Sequence, residues 1–205
     1  MQFGVSTFLW VSPFDTHSFD LVHKVKEMGF DIIEVPVEDK DLVDWDALKK
    51  LTDELGLKVS ISGAFGADRD ISSEDPATRA NGLQYIEDSI KIAARMGSPL
   101  FGGPLYSAVG KLRSISAEQK KIEFDWCVDN LKKACETASK YGVTLGLEPL
   151  NRFESDMVNT VDQALEIVKA VDSPWLKIQL DTFHNNIEEK NIAASIRKVG
   201  KELLC

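Results

Sequence analysis

The chain has 205 residues, 43% of them apolar and 28% charged, enough for one domain with a buried core. Its 24 basic and 33 acidic residues leave a net charge of −9. That balance speaks against a general nucleic-acid binder, whose phosphate contacts need a basic face, and against adhesion to anionic lipid.

Strand and helix signals alternate along the chain. Phe3 to Leu9 is a β-prone run, followed by helical spacing at Phe19, Val22, Val25 and Met28 with Gly29 closing it. Asp31 to Val37 reads as a buried strand, and Ala47, Leu48, Leu51 and Leu55 as a helix face ended by Gly56. Leu57, Val59 and Ile61 alternate as a third strand. Leu83, Ile86, Ile90 and Ala94 mark a helix closed by Gly97, and Pro99 to Gly103 is a short fourth strand. A long helix spans about Ser116 to Tyr141, with Gly142 just past it. The fifth strand is Val143 to Glu148, followed by a helix through Val161, Leu165 and Val168. The sixth strand is Leu176 to Asp181, and a last helix carries Ile192, Ile196, Val199 and Leu203.

Repeated strand–helix units imply an α/β fold of parallel strands joined by right-handed crossovers. The turn after the first strand, L-W-V-S-P-F-D, lacks the G-x-G-x-x-G of a dinucleotide-binding sheet. A (β/α)8 TIM barrel fits better. Thr144, Gly146 and Glu148 share one strand face, as do Lys177, Gln179 and Asp181, and these polar faces would line an interior. Glu148 and Asp181 then sit at the C-terminal ends of adjacent strands, where barrel active sites are built. A closed barrel has eight units and about 250 residues, whereas about six are readable in residues 1–205. The expectation is therefore one barrel domain cut before its seventh strand, with Leu203-Leu204-Cys205 as the start of that strand.

Three cysteines make no disulfide framework. Cys127 and Cys135 stand roughly 12 Å apart along their helix at about 1.5 Å per residue, too far to bridge. The N-terminus has no leader pattern, and no apolar run approaches the ~18 residues that span a bilayer. A reduced, cytoplasmic protein with no membrane partner is expected.

Two segments concentrate chemistry: L-E-P-L-N-R-F-E at Leu147 to Glu154, and L-D-T-F-H-N-N-I-E-E at Leu180 to Glu189. Each joins a strand-end carboxylate to a polar loop. Two carboxylates converging with a histidine suit a hard divalent ion such as Mn2+, Mg2+ or Co2+. The plain alternative is that Glu148 and Asp181 cap loops and helix starts.

These segments, with N-T at Asn159-Thr160, G-F-D-I-I-E-V at Gly29 to Val35 and S-S-E-D at Ser72 to Asp75, resemble the ketose 3-epimerases (D-tagatose/D-psicose 3-epimerases) of the xylose-isomerase-like barrels. The resemblance implies a metal-dependent isomerase-class enzyme that inverts C3 of a free ketohexose through a cis-enediolate, using two carboxylates as acid and base. It implies Glu148 and Asp181 as metal ligands, Glu148 as catalytic acid/base, and Glu154 and His184 as substrate contacts. It implies one divalent ion, Mn2+ first, with Co2+ or Mg2+ as alternatives, and a dimer or tetramer of like chains. The family's other two ligands, a histidine on the seventh strand and a glutamate on the eighth, have no counterpart in these residues, nor does an arginine that follows the seventh strand. Competing readings are an aldose–ketose isomerase of the same superfamily and a non-catalytic sugar-binding fragment. A DNA-cleaving relative would call for more histidines than three and a basic surface.

Other candidates are weaker. Glu34, Phe8 and Trp10 could form part of a site wall, or simply pack. Gly102-Gly103-Pro104 either admits a ligand close to the backbone or makes a tight turn. Trp126 and Tyr141 read as core, and Glu188, Glu189 and Lys190 as a solvated helix start.

Overall fold

A computed structural model describes residues 1–205. Six strands form one parallel sheet in sequential order: β1 (Gly4–Ser6), β2 (Ile32–Val37), β3 (Lys58–Gly63), β4 (Leu100–Gly103), β5 (Thr144–Leu147) and β6 (Leu176–Ile178). The crossovers carry α1 (Asp20–Glu27), α2 (Trp45–Leu55), α3 (Pro76–Met96), α4 (Ala117–Tyr141) and α5 (Val161–Val171). After β6 come α6 (Thr182–Glu188) and α7 (Ile192–Val199). This is an (α/β) barrel architecture with six of its strands. No helix is long and apolar enough to cross a membrane.

The helix ends follow the expected chemistry. Asp44, Asp75 and Ser116 each accept a backbone N–H of the following turn, and Thr160 with Gln163 completes a capping box. Gly56, Gly97 and Gly142 take the left-handed conformation that closes α2, α3 and α4.

The alternation seen in the sequence decides the two sheet faces. Ile33, Val35, Val37, Val59, Ile61, Phe101, Leu145, Leu147, Leu176 and Ile178 belong to a core cluster of 41 buried residues. The opposite face carries small or polar groups. In register across the strands, Ser6 pairs with Glu34, Pro36 with Ser62, Ser62 with Gly102, and Gly102 with Gly146. Gln179 fills the room those glycines leave: a Cβ on Gly102 would overlap its Oε1, and one on Gly146 would come within 3.0 Å of it. Gly102 in β4 and Gly146 in β5 thus make room for one side chain that follows β6.

Several expectations need correction. β1 is shorter than the Phe3–Leu9 run, because Ser6 caps a 3-10 turn over Thr7–Leu9. Met28 and Tyr141 are exposed, and Trp126 is half-buried beneath the Arg79 guanidinium. The last helix stops at Val199; Leu203 instead lies beside β6, bridged to Ile178. Leu204 N–H donates to Ile178 O and Leu180 N–H to Cys205 O, so residues 203–205 run parallel to β6 as strand-like chain.

A buried ion network ties the loops at the C-terminal end of the sheet. Lys111 Nζ lies 2.8 Å from Asp70 and 2.9 Å from Glu123, and donates to Ser72 Oγ. Arg113 makes a two-pronged contact with Glu123 and reaches Asp156. These bonds join the segments after β3, β4 and β5 to α4. With two cations on it, the Glu123 carboxyl is held down at about 2, despite the opposing effect of burial.

Candidate metal centre and active site

Both chemistry-bearing segments begin at one cavity of about 450 Å³ on the C-terminal side of the sheet. Glu148, the residue after β5, and Asp181, just past β6, face it together with Glu34 from β2. Phe8, Ser62, Gly63, Gly103, Gln179, Leu180 and Thr182 complete its lining. Ligand atoms of Glu148, Asp181 and His184 all lie within 4.8 Å of one another.

Asp181 serves two purposes. Its Oδ1 accepts the Phe183 N–H at 2.7 Å and starts α6. Its Oδ2 remains toward the site, 3.9 Å from His184 Nε2. The capping alternative is therefore correct for this residue and compatible with ligation. The same cap sets the first turn of α6, which brings His184 three residues on to the same side. His184 Nε2 is also 4.0 Å from Glu148 Oε1.

The electrostatics favour a cation. Burial, with the carboxylates of Asp181, Glu34 and Glu154 nearby, pushes the Glu148 carboxyl up to about 8. Glu34 is raised mainly by burial, opposed by the nearby hydroxyls of Ser6 and Ser62, with Asp181 adding to the rise. The basic side chain within reach of Glu148 and Asp181 is His184; no lysine or arginine pairs with either. Carboxylates gathered without a countercharge are the donor set a hard divalent ion neutralises. Glu148 and Asp181 fit such an ion.

Glu154 stands at the edge of the site, its Oε1 accepting from Asn151 Nδ2 at 2.7 Å. Phe8 is in the cavity wall, 47% exposed. Trp10 lies outside that lining, packed against the core with Lys24 Nζ 4.8 Å from its ring centroid. His17 and His23 are exposed on the N-terminal segment and take no part.

Gln179, expected on the polar interior face, projects into the room left by Gly102 and Gly146. Sequence reasoning missed three contributors. Tyr106, fully buried, donates to Val158 O and accepts from Leu150 N, closing the loop that bears Asn151 and Glu154. The charges read as a solvated helix start are instead the end of α6 and its neighbour. Glu188 takes the Arg152 guanidinium on both oxygens, at 2.9 and 2.8 Å, and also the Arg152 N–H. Glu189 accepts from Val161 N and Ser195 Oγ. Their partners lie up to 36 residues away, which is why local charge patterning misreads them. Together they clamp the loop after β5 to the segment after β6.

Known proteins carry the same architecture. The xylose isomerase-like TIM barrel family matches residues 22–204. The D-psicose 3-epimerase of Ruminiclostridium cellulolyticum is 31% identical over 99% of this chain and 70% of its own. The L-ribulose 3-epimerase of Mesorhizobium japonicum is 34% identical over 98% of this chain and 67% of its own. The crystal structure of D-psicose 3-epimerase with D-tagatose from Clostridium cellulolyticum H10 superposes with a TM-score of 0.89 at 31% identity, covering 99% of this chain and 71% of that one.

Proposed function

Since the chain belongs to the xylose isomerase-like TIM barrel family, we propose that it is the metal- and sugar-binding part of a ketose 3-epimerase, residues 1–205 acting as one barrel unit. The observation that carries this reading is the meeting of Glu148, Asp181 and His184 at the C-terminal ends of β5 and β6, with the Glu148 carboxyl pushed up to about 8. Relatives named for C3 epimerisation of psicose and ribulose support the reaction class.

In this reading Glu148 and Asp181 hold one divalent ion, Mn2+ first, with Co2+ or Mg2+ as alternatives. Such an ion supplies Lewis acidity toward the sugar's carbonyl and adjacent hydroxyl oxygens. Glu148 takes the C3 proton on one face, and the electron pair of the broken C3–H bond moves toward the carbonyl to leave a cis-enediolate. A second carboxylate returns a proton to C3 from the opposite face, which inverts the centre. The family places that second carboxylate on an eighth strand, outside the six described above. Glu154 and His184 orient hydroxyls, Phe8 offers an apolar wall, and Glu34 adds a third acid to the cavity. The enzyme's partner is a free ketose, and like chains assemble as a dimer or tetramer.

The test is turnover of D-fructose, D-tagatose and L-ribulose by the purified protein with Mn2+ in deuterated water. The C3 epimer should form with deuterium at C3. An aldose product assigns the protein to the aldose–ketose isomerases. Sugar binding with no exchange at C3 under Mn2+, Co2+ or Mg2+ makes it a non-catalytic binding barrel.

A further inference from the structure

His184 lies behind the carboxylates of Glu148 and Asp181 rather than in the cavity lining, and its two neutral forms differ in what they offer a ligand there. With the proton on Nδ1, Nε2 is a lone-pair donor to a metal. With the proton on Nε2, the ring is a hydrogen-bond donor. The surroundings of Nδ1 decide between them.

Nδ1 faces two groups, both from Asn151. The Asn151 backbone N–H points at it from 3.2 Å, and the side-chain nitrogen of the same residue lies 2.9 Å away. The orientation of that side-chain amide is fixed from both ends. Its Oδ1 accepts the Phe153 N–H at 2.9 Å, and a backbone N–H can do nothing but donate. Its Nδ2 lies 2.7 Å from Glu154 Oε1, which as a carboxylate can do nothing but accept. A flipped amide would set oxygen against oxygen and N–H against N–H. The two hydrogens of Nδ2 therefore go to Glu154 and to His184 Nδ1. Asn151 is 2% exposed and His184 7%, so water offers no alternative partner. Two donors converge on one ring nitrogen, and that nitrogen must carry a lone pair.

We propose that Asn151 is a positioning residue that holds neutral His184 with its proton on Nε2. His184 then enters the site as a hydrogen-bond donor, placed 4.0 Å from Glu148 Oε1 and 3.9 Å from Asp181 Oδ2. The three-group cluster resolves into two carboxylates for a cation and one N–H for a sugar oxygen. The same asparagine aims Glu154, so one buried amide aligns both groups that face the substrate. The inference rests on the functional reading for the identity of the sugar. The tautomer itself follows from the hydrogen bonds alone.

The experiment is long-range 1H–15N correlation of the three histidines in the metal-free protein at a pH of about 8.5, well above the ordinary histidine range of about 6.5. His184→Gln identifies its signals. The expected result is an unprotonated Nδ1 and a protonated Nε2; the reverse pattern overturns the proposal. In Asn151→Asp the new carboxylate faces Nδ1 as an acceptor, and the Nε2-protonated population should fall. An unchanged population would assign control to the backbone N–H and remove the side chain's role. A buried polar group left unpaired is worth about tenfold or more, so turnover of Asn151→Asp should drop by at least that factor. A parent protein that turns over no ketose counts against the functional reading, while the tautomer measurement, which needs no substrate, still judges this inference.

Discussion

Glu148 is held in a place that suits a reaction and costs stability, and this can be measured. Its carboxyl ionises near the ordinary 4.5 when the chain is unfolded and at about 8 when folded. Below about pH 4.5 both states hold the proton and the penalty is absent. Between the two values the unfolded chain alone releases it, so folding stability falls as pH rises, by about 1.4 kcal/mol per pH unit. Over an interval of roughly 3.5 pH units the loss reaches about 5 kcal/mol, an upper bound because an unfolded chain retains some neighbouring charge. Glutamine has no proton to lose. Glu148→Gln in EDTA should match its parent within about 1 kcal/mol at pH 4.5 and exceed it by about 3–5 kcal/mol at pH 8.5. In a chain of this size that is a rise in Tm of roughly 10 °C. Glu34 is raised in both proteins, and its effect largely cancels in the comparison. Urea unfolding followed by circular dichroism at the two pH values gives both differences. Equal differences at both pH values, or a parent more stable at pH 8.5, would refute the account of this carboxylate as buried among like charges.

Four further outcomes are expected. Mn2+ at about a hundred times its Kd should stabilise the parent by about 2.7 kcal/mol in the same unfolding assay, and Asp181→Asn should lose most of that gain. Lys111→Met leaves Asp70 buried without its cation and should cost about 3–5 kcal/mol; Lys50→Met, which breaks an exposed contact with Glu54 at 3.9 Å, should change stability by less than about 0.5 kcal/mol. The depressed Glu123 carboxyl adds a pH signature: its contribution is full above about 4.5 and fades as pH falls toward about 2. Gly102→Ala drives a methyl into Gln179 Oε1 and should cost about 1–3 kcal/mol, and adding Gln179→Ala should recover most of it; independent, additive losses would mean that the two side chains do not share that space.

The order of strands and helices was legible because each element carries its own period and its own stop. Val143, Leu145 and Leu147 alternate with Thr144 and Gly146, and Gly56, Gly97 and Gly142 end helices in a conformation other residues resist. Strand-end carboxylates followed by polar loops were equally visible at Glu148 and Asp181. Where local signals were weak, the sequence misled. The segment L-D-T-F-H-N-N-I-E-E offers only Phe183 and Ile187 as apolar residues within the helix, so α6 went unseen, and it forms because Asp181 caps it and Glu188 is clamped by Arg152.

What the sequence by itself determined is therefore the alternating fold, its polar interior face and the two acids at one end of it. The tertiary structure alone decided which groups meet. Arg152 with Glu188, Asn151 with His184, and Gly102 with Gln179 are pairs separated by 36, 33 and 77 positions. A hydrogen bond, a tautomer or a raised pKa depends on distances of a few ångströms between such residues, and those distances exist only once parallel crossovers have set the strands side by side. Period and capping are properties of a short stretch of chain, whereas the acidity of Glu148 and the proton position on His184 are properties of a packed neighbourhood.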